Sequence, residues 1–134
     1  LEDESRSIGR VFLNLNFWIN LRQSALFIID LPYELRVKRL VEEYGHFTID
    51  ELKLSFKNIV RRLGNEQWKN AVAALEERNM EFAARIALSY YDKAYDRGIS
   101  MKETKEIFRF TFQEGDAKAI AETLIKSAKE KYGN

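Results

Sequence analysis

Residues Leu26 to Phe47 read LFIIDLPYELRVKRLVEEYGHF, and this stretch decides the fold class. Leu26 to Ile29 is a short apolar run rich in β-branched residues, too short for a helix and closed by Asp30. Such a run fits a strand buried on both faces, as in a parallel sheet. Pro32 follows at the first helical position, where its missing N–H costs nothing. From Tyr33 the period changes: Leu35, Val37, Leu40, Val41 and Tyr44 form an apolar stripe, and Gly45 stops the helix. A buried strand running into an amphipathic helix is half of a βαβ unit. Ligands in such folds gather at the carboxyl ends of the strands, here near Asp30. The rest of the chain is expected to cover this strand.

Working outward, Glu2 to Arg10 is polar, contains Gly9 and reads as a loop after a strand end. The opening Leu1-Glu2-Asp3-Glu4-Ser5-Arg6 reads as the end of a strand that begins outside the chain, a cut through a domain. Asn14 or Asn16 suits the cap of a short helix from Phe17 to about Ser24. Downstream, Thr48-Ile49-Asp50-Glu51 is a capping box for a helix with Leu52, Phe56, Ile59, Val60 and Leu63 inward, stopped by Gly64. Asn65 caps the next, with Trp68, Val72 and Leu75 inward, and Asn79 opens another, with Phe82, Ile86, Tyr90 and Tyr95 inward and Gly98 at its end. Lys105 to Phe112 alternates Phe108, Phe110 and Phe112 against Ile107, Arg109 and Thr111, a strand with one buried face. Asp116 starts the last helix, through Ile120, Leu124 and Ala128, and Lys126, Lys129 and Lys131 suit its negative end.

The expected class is α/β, predominantly helical. Residues 1–47 and 99–134 form an α/β part, and residues 48–98 form a helical insert resembling a hairpin. At 134 residues the chain is one domain's worth, able to bury roughly two-thirds of its unfolded surface. A net charge of +1 leaves any nucleic-acid footprint to local patches. The absence of cysteine excludes disulfides, thiolate metal sites and a cysteine nucleophile within these residues. One histidine, His46, is too few for the usual zinc arrangements. No apolar run approaches a membrane span and no signal peptide is visible; the lack of cysteine fits the expected cytoplasmic compartment.

Four groups of residues have the chemistry of a site. Glu2, Asp3 and Glu4 are either a solvated acidic cluster or metal-facing carboxylates beside a diphosphate site. Arg36 and Arg39 are three apart on one helix face; Arg39 has Glu43 one turn on, whereas Arg36 has no acid at helical spacing. The pair is either a solvated face or a bidentate phosphate clamp. Lys53, Lys57 and Arg61 form a single-sign stripe, with Arg62 adjacent. It is either a solubilising face or an edge that tracks a nucleic-acid backbone. Tyr90, Tyr91, Tyr95 and Trp68 suit core packing better than base stacking.

Several blocks together resemble a known family. Glu2-Asp3-Glu4-Ser5-Arg6 with Ile8-Gly9, Phe17-Trp18, the run from Leu35 to Gly45, Arg61-Arg62-Leu63-Gly64, and the run from Ala87 to Tyr95 look like the C-terminal part of bacterial tRNA 2-selenouridine synthases. The blocks occur in the family's order over nearly the whole chain.

The resemblance implies a larger enzyme with a rhodanese-like domain and a P-loop domain, of which this chain is the C-terminal half of the P-loop part plus its helical insert. That enzyme converts wobble 2-thiouridine in tRNA to 2-selenouridine through an S-geranylated intermediate, using geranyl diphosphate and selenophosphate. The rhodanese cysteine and the Gly-rich phosphate loop are absent from this sequence. No catalytic residue or cofactor is therefore expected within it, and the chain alone is expected to be inactive. The ligand-binding candidates are Arg36, Arg39, Glu4 and Arg6; the tRNA-binding candidates are Lys53, Lys57, Arg61 and Arg62; Asp3 and Glu4 are the weak metal candidates, for Mg2+. The competing readings are a non-enzymatic helical RNA-binding or interaction module and the C-terminal half of a small-molecule kinase.

Overall fold

The computed structural model describes residues 6–8 and 10–133. In chain order these form β1 (Ser7–Ile8), β2 (Val11–Phe12), α1 (Leu15–Gln23), β3 (Leu26–Asp30), α2 (Tyr33–Tyr44), α3 (Ile49–Leu63), α4 (Asn65–Glu76), α5 (Met80–Ser100), β4 (Ile107–Thr111) and α6 (Ala117–Tyr132). The class is the expected one: mostly helical, with a parallel strand pair. The acidic Glu2, Asp3 and Glu4 lie outside the described residues. Two compact units emerge, residues 1–32 with 98–134, and residues 33–97. The boundary thus falls at Tyr33, whereas the sequence reading began the insert at Thr48. Helix α2 goes with the helices because Glu34 and Arg36 are bonded to Arg85 and Asp92 of α5.

In the first unit, β3 and β4 pair in parallel, with Phe27 opposite Phe108 and Ile29 opposite Phe110. The Phe27 ring lies 5.4 Å from Phe108 and 5.6 Å from Phe110. The predicted alternation holds, since Phe108 and Phe110 are half-buried while Ile107, Arg109 and Thr111 are exposed. Strand β3 is less enclosed than expected: Leu26 to Ile28 are half-buried and Ile29 is 43% exposed. Among the described residues its only strand partner is β4, so its other edge has no strand neighbour. A loop was expected near residue 9, but β1 and β2 form a two-residue antiparallel ladder. Two residues are too few to show a period. Asn14 rather than Asn16 caps α1, its side chain accepting from the Asn16 N–H at 2.9 Å. Asp116 caps α6 as expected, accepting from Lys118 and Ala119 N–H.

The main core lies in the helical unit, not against β3. Leu52 and Phe56 of α3, Ala71, Ala74 and Leu75 of α4, and Ala83 and Ile86 of α5 form one buried cluster. The three alanines decide this packing, because small side chains let neighbouring helices close on the larger Leu52, Phe56, Leu75 and Ile86. Leu75 is 1% exposed, and burial of a leucine contributes about 1.5–3 kcal/mol. Phe82, expected inward, is 45% exposed, while Ala83 and Leu88 are buried instead. Ile86 is buried as expected and Tyr90 and Tyr95 are half-buried, so the apolar stripe of α5 departs from the predicted one at Phe82 and in the added Ala83 and Leu88.

The helix ends follow local chemistry. Both halves of the Thr48–Glu51 capping box are formed, with the Thr48 N–H donating to Glu51 Oε2 at 2.8 Å and the Glu51 N–H to Thr48 Oγ1 at 3.3 Å. Gly64, at φ +93°, serves both as the last cap of α3 and the first of α4, so Asn65 is the first helical residue rather than the cap. The open space around Gly64 shows that backbone conformation alone requires glycine there. Helix α4 closes in a Schellman motif: the Asn79 N–H donates to Ala74 O at 2.7 Å and the Arg78 N–H to Leu75 O at 3.1 Å. Arg78 takes the left-handed position at φ 58°, where glycine is usual. Asn79 then caps α5 by accepting from the Phe82 N–H. Helix α5 continues past Gly98 to Ser100, because one glycine lowers helix propensity without breaking the hydrogen-bond ladder.

Candidate functional site

The cationic stripe is only partly available. Lys53 donates to Glu76 of α4 at 2.6 Å and is 27% exposed. The sequence shows no acid beside Lys53 except Asp50; the α3–α4 corner brings one from 23 residues away. Lys57, Arg61 and Arg62 are exposed, and none makes an ion pair among the described residues. Their charge faces solvent from the last turns of α3.

Arg36 also gains a partner by folding. Its Nη2 and Nη1 donate to Asp92 Oδ1 and Oδ2 at 2.5 and 3.1 Å, a bidentate pair between α2 and α5. The absence of a local acid is therefore not the absence of an acid. Two turns before Asp92 on α5, Arg85 makes a second bidentate pair with Glu34 at 2.8 and 2.7 Å and lies 5.6 Å from the Tyr33 ring centroid. The Arg85 hydrogen bond holds the Glu34 carboxyl below its usual 4.5. Arg39 is exposed on α2.

At the carboxyl end of β3, where a ligand was expected, Asp30 accepts two bonds from Arg109 Nη1 at 2.9 and 2.8 Å. Parallel register places Arg109 opposite Ile28, two residues from Asp30 on the neighbouring strand. His46 lies against Phe47, with centroids 4.3 Å apart, and completes no catalytic set. Among the described residues no three acidic, histidine or cysteine side chains group as metal ligands. Tyr90 and Tyr91 meet edge to face at 5.0 Å, and Trp68 packs on the core.

A cleft of about 130 Å³ opens between the α3–α4 corner and α5. Buried Ile86 and half-buried Leu63 line it together with Arg62, Gln67, Ser89, Tyr90 and Lys93. Ile86, Ser89, Tyr90 and Lys93 follow the i, i+3, i+4, i+7 rule, so the sequence does show that they share a face. Only the fold shows that this face meets Arg62.

Two blocks far apart in sequence, Arg61 to Gly64 and Ala87 to Tyr95, thus meet at one cleft. The family model described as "tRNA 2-selenouridine synthase AAA domain" matches residues 1–131. The chain belongs to that family. Among curated relatives, the tRNA 2-selenouridine synthase of Shewanella loihica is 28% identical over 96% of this chain and 41% of its own length. That of Psychromonas ingrahamii is 24% identical over 85% of this chain and 39% of its own. That of Serratia proteamaculans is 26% identical over 85% and 38% respectively. The chain spans about two-fifths of the length of these relatives. No solved structure matches it. No helix among the described residues is long and apolar enough to cross a membrane.

Proposed function

We propose that this chain is part of a cytoplasmic tRNA 2-selenouridine synthase, an enzyme that converts wobble 2-thiouridine to 2-selenouridine through S-geranyl-2-thiouridine. Geranyl diphosphate and selenophosphate are the substrates of the whole enzyme. This segment contributes tRNA and ligand binding and a scaffold, while the phosphate loop and the rhodanese cysteine are supplied by other parts of the protein. The observation that carries the reading is the family match over residues 1–131. The cationic end of α3 supports the RNA role, because Lys57, Arg61 and Arg62 lack carboxylate partners among the described residues. The scaffold role is supported by the apolar surface left on the first unit, where Val11, Phe12, Leu15, Phe17 and Ile29 are all exposed. Parallel sheets are ordinarily covered on both faces, and the rest of the synthase would cover this one. Arg36, Arg39, Glu4 and Arg6 are the diphosphate candidates, with Arg36 also bonded to Asp92 and Arg6 also donating from Nε to Leu13 O at 3.0 Å, and Mg2+ at Asp3 and Glu4 belongs to the same proposal.

Reversing Lys57 and Arg61 to glutamate in the full-length enzyme tests the RNA role. Each lost phosphate contact lowers the slope of log affinity against log salt by about one unit. Unchanged affinity and slope with an intact fold refute it. The isolated chain is expected to transfer neither geranyl nor selenium; modified nucleosides above a no-protein control, after incubation with thiolated tRNA and both substrates, refute that.

A further inference from the structure

We propose that the cleft between the α3–α4 corner and α5 is a binding site for a phosphate group, held by Arg62 and Lys93 with Ser89 and Tyr90. Other cations in this unit already face acids: Lys53 faces Glu76, Arg36 Asp92, Arg85 Glu34 and Lys38 Glu42. Arg62 and Lys93 are not matched, since neither makes an ion pair or hydrogen bond among the described residues. Two like charges over one cavity repel each other, and an anion between them converts that repulsion into attraction.

The rest of the lining selects the anion. Ser89 and Tyr90 bring hydroxyl donors and Gln67 an amide N–H2, and no carboxylate lines the cleft. A surface of this kind repels no oxyanion and holds no metal cation. The apolar Ile86 and Leu63 in the lining lower the local dielectric, which strengthens charged hydrogen bonds made beside them. Arginine's planar fork bonds two phosphate oxygens at once, whereas lysine adds a point charge from the other wall. The space, about 130 Å³, is several times the roughly 10–15 Å³ that a single water needs. A phosphate group with some of its hydration enters.

The phosphate has two chemical sources, an RNA backbone or a soluble diphosphate. The RNA source rests on the proposed tRNA role, and there Arg62 would join the cleft to the stripe of Lys57 and Arg61. The site itself rests on the cleft alone.

The test measures binding of bulk tRNA and of inorganic diphosphate to the chain, with wild type, the double variant R62Q/K93Q and a control double variant, K118Q/K126Q. The control removes the same charge from exposed lysines of α6. Melting curves by circular dichroism check each fold. A loss of tenfold or more in R62Q/K93Q, with the control near wild type, is expected for at least one ligand. S89A, which deletes one exposed hydroxyl, is expected to lose affinity for that ligand a few-fold. Loss for tRNA assigns the site to an RNA phosphate, and loss for diphosphate alone assigns it to a soluble ligand and counts against the RNA role. If tRNA binds and both double variants weaken it alike, diffuse charge explains binding and the cleft proposal is wrong, though the RNA role stands. No binding of either ligand by wild type also overturns it.

Discussion

Replacing Arg36 by alanine separates the phosphate-clamp role expected from the sequence from the ion-pair role with Asp92 that the fold gives it. The guanidinium is 34% exposed and Asp92 is 38% exposed, with contacts of 2.5 and 3.1 Å. Fully exposed ion pairs contribute about 0.2–1 kcal/mol. Truncating one partner of a buried pair costs about 3–5 kcal/mol, because the remaining charge is left dry. At one-third exposure water reaches Asp92 after truncation, so the cost belongs near the lower range, about 1–2 kcal/mol. For a chain of this size that lowers the melting temperature by about 4–7 °C. Thermal melts of wild type, R36A, D92A and the double variant form a cycle whose interaction term isolates this pair. A term of about 1 kcal/mol is expected, and it should fall only slightly in high salt because the pair is partly screened by protein. A term indistinguishable from zero, together with weakened diphosphate binding by R36A, refutes the structural role. Arg36 then serves a ligand.

Leu75→Ala should cost about 2–5 kcal/mol, read from urea midpoints, because Leu75 is 1% exposed in the core; Phe82→Ala, at 45% exposure, should cost far less. Arg78→Gly should stabilise the chain by roughly 0.5–1 kcal/mol, since it relieves a left-handed residue at φ 58°; a lower melting temperature than wild type contradicts the strain argument. Glu34 and Glu51 titrate below their usual 4.5, held down by the Arg85 hydrogen bond and the Thr48 backbone N–H respectively. Their stabilisation is full above the unfolded value and is lost as pH falls through the lowered folded values. An E34Q/E51Q variant should therefore lose less stability than wild type on acidification from neutral pH to about pH 3, and parallel acid curves would show that neither carboxylate contributes.

What lay open in the sequence was whatever neighbouring residues decide among themselves. The strand at Leu26, the helix from Tyr33, the Thr48–Glu51 box, the alternating phenylalanines and the Asp116 cap all rest on contacts within a turn or on a simple period. The family resemblance was legible for a similar reason, since its blocks are short runs. The two-residue ladder of β1 and β2 was not, nor was the start of α5, where Ala83 rather than Phe82 is buried. The site was hidden where it depended on distant partners. Arg36 and Lys53 looked unmatched because Asp92 is 56 residues from one and Glu76 is 23 residues from the other. Nothing local marks Lys93, because its significance depends on Arg62, which lines the same cleft from α3. Charge acts through space over a few ångströms, and helical spacing records only the neighbours one turn away. Which of Arg36, Lys53, Arg62, Arg85 and Lys93 face an acid was therefore decided by the packing of α2, α3, α4 and α5.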